Sequence, residues 1–98
     1  MMNNYDTNMD IDIDGERQLA EGVAEMLNDR GIPNHRFFAV PDGNRYAIRV
    51  VTPGQAFSHF QIRDYANGNF FILDNNQIRQ GSRVTSLNEA ANFVQRHI

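Results

Sequence analysis

No cysteine occurs among the 98 residues, which excludes a disulfide framework and a thiolate zinc site and leaves packing to hold the core together. Lysine is missing as well, so all nine basic side chains are arginines, where a chain of this length would ordinarily carry roughly six lysines. A GC-rich genome is a poor explanation, because the twelve asparagines use AT-rich codons. Lysine is the acceptor for ubiquitin, and arginine forks grip carboxylate and phosphate bidentately. The bias therefore fits both life in a ubiquitin-tagging cell and selection for anion contacts. A run of about 18 apolar residues is also lacking, and the N-terminal stretch carries acids where a signal peptide has basic and apolar regions. A soluble, cytoplasmic protein is expected, and the same features are compatible with work inside a host cell.

The charge that is present is unevenly placed. Residues 1–29 hold eight acids and one arginine, a net −7, whereas the remaining sixty-nine carry eight arginines and four acids, a net +4. A basic body stands behind an acidic front, which points to an anionic partner for the body or to an acidic segment that shields it. At 11.2 kDa the chain is one domain, and folding hides only roughly 60 to 65% of its extended-chain surface.

Residues 1–14 read as a flexible acidic tail and 15–98 as a single domain. Asp14 is placed to cap a helix with Glu16 in its first turn, and Leu19, Val23, Met26 and Leu27 recur at helical spacing. Gly31 and Pro33 stop that helix. The period then changes to two. Residues 37–40, a turn over 41–44, and Tyr46, Ile48 and Val50 alternating with Arg45, Ala47 and Arg49 read as a hairpin. Phe57, Phe60 and Ile62 among polar residues make a third strand, and 70–73 a fourth. Asn75, Asn76 and Gly81 bracket a short segment. Thr85 or Ser86 caps a final helix with Leu87, Ala90, Phe93 and Val94 inward, Ser86 and Glu89 having the spacing of a capping box. The pattern predicts an α+β fold: a central antiparallel sheet of about four strands between an N-terminal and a C-terminal helix.

Motifs for catalysis are lacking: no nucleophile elbow, no zinc-protease pair, no phosphate-cradling glycine loop and no dinucleotide fingerprint. The protein is expected not to be an enzyme and to use no cofactor. His35, His59 and His97 are far apart without metal-ligand spacing. Asp10, Asp12, Asp14 and Gly15, followed by Glu21, match the calcium-loop pattern D-x-D-x-D-G-x5-E. The competing reading of those residues is a helix start preceded by acids. The basic residues carry more. Alternation sets Arg45, Ala47 and Arg49 on one face of the second strand, and His59, Gln61 and Arg63 on one face of the third. If the two strands are neighbours, Arg45, Arg49, His59 and Arg63 converge into a receptor for an anion. Nucleic acid is a weaker partner, since few aromatics interleave with the arginines and the whole chain is acidic.

The order of elements, together with several short motifs, resembles the Src homology 2 domain. Phe57, Ser58, His59, Phe60, Gln61 and Ile62 look like that family's central strand with its His-Phe pair. Residues 67–73 look like the next strand, and Val84 to Val94, with Ser86 and Leu87, like its closing helix; 19–27 fit the first helix and 37–40 the buried strand. The resemblance covers 16–98 and implies a phosphotyrosine-peptide module. The family's phosphate-gripping arginine falls on Val40, however, and Ala20 stands near the place of its first-helix arginine, with Arg17 one turn earlier. The expectation is an atypical module of this kind that binds an acidic or phosphorylated peptide of a protein partner through Arg45, Arg49, His59 and Arg63. The alternative is a small inhibitor or chaperone-like protein that uses its acidic helix or a strand edge against one larger partner.

Overall fold

Acids at a helix start are favoured by the macrodipole, and Asp14 and Glu16 occupy the first turn of α1, which runs Ile13–Asp29. In the computed structural model residues 13–55, 58–64, 70–74 and 81–98 are described; Asp10, Asp12 and Phe57 lie outside them. Along α1 a stripe of Glu16, Ala20, Val23, Ala24 and Leu27 is buried, at the spacing of one helical face. Arg30 N donates to both Met26 O and Leu27 O at 3.2 Å, and Gly31, at φ 66°, takes the left-handed turn that ends the helix. The calcium-loop reading does not survive this geometry. Asp14, Gly15 and Glu21 belong to one continuous helix, whereas the loop needs Gly15 at a sharp turn with carboxylates folded around it. Among the described residues no group of three metal-ligating side chains occurs.

The strands are β1 (Arg36–Asp42), β2 (Arg45–Val51), β3 (Ser58–Asp64), β4 (Phe70–Asp74) and β5 (Gly81–Val84), and α2 (Leu87–Arg96) closes the chain. They form an antiparallel meander in the order β1-β2-β3-β4-β5. β5 is a fifth strand beyond the four counted in the sequence; the short segment expected between Asn76 and Gly81 lies outside the described residues. Between β1 and β2 the turn is Gly43 and Asn44, with φ positive at Gly43 (65°) and not at Asn44; this is the type II′ pattern that suits a two-residue hairpin.

In register, Ala39, Ile48 and Phe60 stand in one row, and Val40, Ala47 and Gln61 in the next. The first row belongs to the core. Phe37, Ile48, Val50, Phe60 and Ile62 pack with the α1 stripe and with Ala90, Ala91, Phe93 and Val94 of α2 in one cluster. The Phe60 and Phe93 rings meet edge to face at 6.3 Å and 89°. Both helices therefore lie on the same face of the sheet, side by side. A Cβ built on Gly22 of α1 would sit 3.0 Å from Leu87 Cδ1, and Arg30 donates to Gln95 Oε1 (2.7 Å) and Asn88 Oδ1 (2.8 Å) across the pair. This corrects the expectation of a sheet held between two helices. One sheet face is polar, so both apolar helix stripes can be buried only against the other.

A second correction concerns residues 37–40. They were expected as a buried strand, but β1 is an edge strand, and Phe38 on its outward-facing row is 45% exposed. Asn28 closes part of that edge. Its Nδ2 donates to Phe37 O at 2.8 Å, and Phe37 N donates to its Oδ1 at 3.0 Å. The polar backbone groups of Phe37 thus face away from β2, and in an antiparallel ladder the same holds at every second residue, here Ala39 and Pro41. Pro41 has no N–H to offer.

The start of α2 is capped as its sequence predicts: Ser86 Oγ accepts from Glu89 N at 3.1 Å. Glu89 differs from the usual box by reaching one residue further back, accepting from Thr85 N (2.8 Å) and Thr85 Oγ1 (3.0 Å). Those bonds, the backbone one foremost, hold its pKa below the ordinary 4.5. A carboxylate depressed in the folded state stabilises the fold above its unfolded pKa and stops doing so as pH falls through the folded value. The stability difference between wild type and Glu89→Gln is therefore expected to shrink as pH drops below 4.5, as read from urea midpoints. A difference that stays constant into strong acid would show that the carboxylate contributes nothing through its charge.

Candidate functional site

The polar side of the sheet carries the sequence-predicted residues, and the structure treats them in three ways. Arg45 is withdrawn. It begins β2 beside the Gly43 turn, where its long side chain can meet the first turn of α1; its Nε donates to Glu16 Oε1 at 3.2 Å, and its Nη2 pairs with Glu16 Oε2. The Arg45 side chain is 20% exposed and that of Glu16 not at all. Its charge is met by the protein's own carboxylate in a two-pronged contact, so Arg45 is removed from the proposed receptor.

Arg49 and His59 do come together. They are cross-strand partners on β2 and β3, and Arg49 Nε donates to His59 Nε2 at 3.0 Å. Both side chains are half-buried.

Arg63 belongs to a different group. Its Nη2 donates to Gln61 Oε1 at 2.7 Å, and Gln61 Nε2 donates in turn to Asp42 Oδ2 at 3.1 Å. The amide of Gln61 thus links a cation on β3 to a carboxylate at the end of β1. Arg63 stands four residues beyond His59 on the same strand, about 13 Å at the usual rise per residue. The four residues expected to meet at one point are therefore an internal ion pair, an Arg49–His59 couple, and an Arg63–Gln61–Asp42 chain.

In register with Gln61 lie Ala47 and Val40. Ala47 has no exposure although it stands outside the core cluster, so it forms a small apolar floor. Phe38 is the residue that sequence reasoning missed. It opposes Arg49 directly, so Phe38, Arg49 and His59 form a row across three strands. Strict alternation from the buried Phe37 would have put Phe38 on the polar side. With Ile98, it makes up the large exposed hydrophobics among the described residues.

No protein-family model, curated protein or solved structure matches this chain. No helix among the described residues is long and apolar enough to cross a membrane.

Proposed function

We propose that this protein is a binding module without catalytic chemistry of its own, which holds an acidic segment of a protein partner on the open face of its sheet. The observation that carries this is the Arg49–His59 couple, set on a face that neither helix covers. Holding Nε on the imidazole fixes the plane of the guanidinium, and a pre-oriented fork loses less freedom on gripping an anion than a wandering one. Arg63 adds a second cation on the same face, and Phe38 a large apolar contact. Recognition by a sheet face rather than by strand addition is favoured by the edge of β1, where Asn28 occupies Phe37 and Pro41 lacks a donor. That closure counts against an inhibitor or chaperone acting through this edge.

The test is an array of acidic and phosphorylated peptides probed with the full chain. Wild type should bind a subset with an affinity that falls as salt rises, and Arg49→Glu, with its circular dichroism showing the fold retained, should lose that subset. An array on which no acidic spot binds, or on which Arg49→Glu binds as wild type does, defeats the proposal.

A further inference from the structure

The inward side of α2 is fixed by Ala90, Ala91, Phe93 and Val94, which are buried, and helical spacing turns Asn92, Gln95 and Arg96 away from the core together. Two cavities open there. One, of about 310 Å³, is lined by these three residues; the other, of about 230 Å³, shares Asn92 and Arg96 and adds Arg83, Val84 and Glu89. We propose that the last turns of α2 form a second binding site, on the helix layer and independent of the open sheet face, in which Arg96, Gln95 and Asn92 hold a carboxylate group.

The three side chains bring donors to one place. Gln95 Oε1 accepts from Arg30 Nη1 at 2.7 Å. A guanidinium only donates, so that contact fixes which end of the amide is oxygen and leaves the Gln95 NH2 group for the cavity. Arg96 stands with its Cζ 5.9 Å from the centroid of the Phe93 ring, a contact with the π face that consumes no N–H. The ring is itself held by His97, stacked on it at 4.2 Å. Asn92 adds a half-buried amide. Arg83 is already engaged, and the grip needs none of its donors.

Charge and size select the ligand. No carboxylate lines the larger cavity. Glu89 lies seven residues before Arg96, about 10 Å along the helix axis, and its Oε1 is turned back to Thr85. The carbonyls at a helix C-terminus oppose an anion, but two of them are occupied here: Val94 O accepts from His97 N at 3.0 Å, and Phe93 O accepts from His97 Nδ1 at 2.8 Å. One guanidinium fork matches the two oxygens of a carboxylate. A phosphate dianion carries more charge, and Glu89, on the wall of the smaller cavity, repels it in proportion. Sites for larger ligands run from about 300 to 1,000 Å³, so these volumes suit a side chain or a small acid.

The experiment is a titration of the 15N-labelled full chain, followed by NMR, in which each probe replaces sodium chloride at constant ionic strength. The probes are sodium acetate, sodium phosphate, and the capped peptide Ala-Ala-Glu-Ala-Ala with its Gln counterpart. Saturable shifts are expected at the NH2 groups of Asn92 and Gln95 and at the Arg96 Nε–H with acetate and with the glutamate peptide. The tighter of those two names the source, a free small acid or an acidic side chain of a partner. Arg96→Gln should weaken both at least about tenfold, the effect of one lost charge-assisted contact. Gln95→Glu keeps an acceptor for Arg30 but sets a carboxylate in the cavity, and should do the same, with circular dichroism showing the fold retained. Shifts that never saturate, equal shifts with the Gln peptide, or an unchanged affinity in either variant overturn the site. Phosphate that binds more tightly than acetate overturns the choice of a carboxylate. None of these outcomes touches the open-face reading, which the Arg49→Glu array decides.

Discussion

Replacing Arg45 by alanine is expected to lower the unfolding free energy by about 3 kcal/mol, because it takes a two-pronged ionic contact from a carboxylate that is out of water. Glu16 is fully buried while Arg45 keeps 20% of its side-chain exposure. The asymmetry matters. Removing the partly solvated member takes a charge-assisted contact from the one that water cannot reach. Against a total of roughly 5 to 15 kcal/mol for a small domain, the loss would be visible as a large drop in the urea midpoint. Joint replacement, Glu16→Leu with Arg45→Leu, should recover most of it, since well-packed apolar side chains commonly replace a buried pair at little cost. The pair sits where α1 begins and β2 leaves its turn, so it also fixes the approach of the first helix to the hairpin. An Arg45→Ala variant within experimental error of wild type would mean that Glu16 does not depend on this partner.

A loss of similar size, about 3 to 5 kcal/mol, is expected for Phe60→Ala. Phe60 has no exposure, stands in the row of Ala39 and Ile48, and sets its ring against Phe93 of α2. Truncation would open a cavity where the sheet and the second helix meet, with few atoms free to collapse into it. Phe38→Ala provides the contrast. The residue is the same, but it lies on the uncovered side with 45% exposure, and its loss should change stability by no more than about 0.5 kcal/mol. If the two substitutions cost the same in parallel urea melts, the side of the sheet described as open is covered by something, and the assignment of layers fails.

Much of this architecture was legible in local pattern. The spacing of Val23 and Leu27 marked α1, the change to alternation marked the strands, Gly43 marked the hairpin, and Ser86 with Glu89 marked the start of α2. The layering was not read, although the information was present. Arg49, His59, Gln61 and Arg63 make one side of two neighbouring strands polar, and two apolar helix stripes then have one face left to share. Apolar residues on that polar side, among them Phe38, Val40 and Ala47, blurred the distinction. The candidate site was legible as far as strand alternation reaches, which paired Arg49 with His59. It failed at Arg45, whose partner lies 29 residues away, a juxtaposition that only the docking of helix on hairpin creates. One clue existed: Glu16 falls on the same helical face as Ala20 and Val23, a place where a charge requires a companion. The calcium-like pattern misled for the opposite reason, since matching letters did not reveal that Asp14, Gly15 and Glu21 wind into a helix.

With the core cluster confined to one side of the sheet, the residues that keep the chain folded and those of the proposed binding face are different sets. Exchanges at Phe38, Arg49 or Arg63 touch none of the contacts among Phe60, Phe93 and Leu27, so a lineage or an engineer can rewrite what this surface recognises while the fold beneath stays intact. Adaptation to a changing partner is then a matter of a few surface codons.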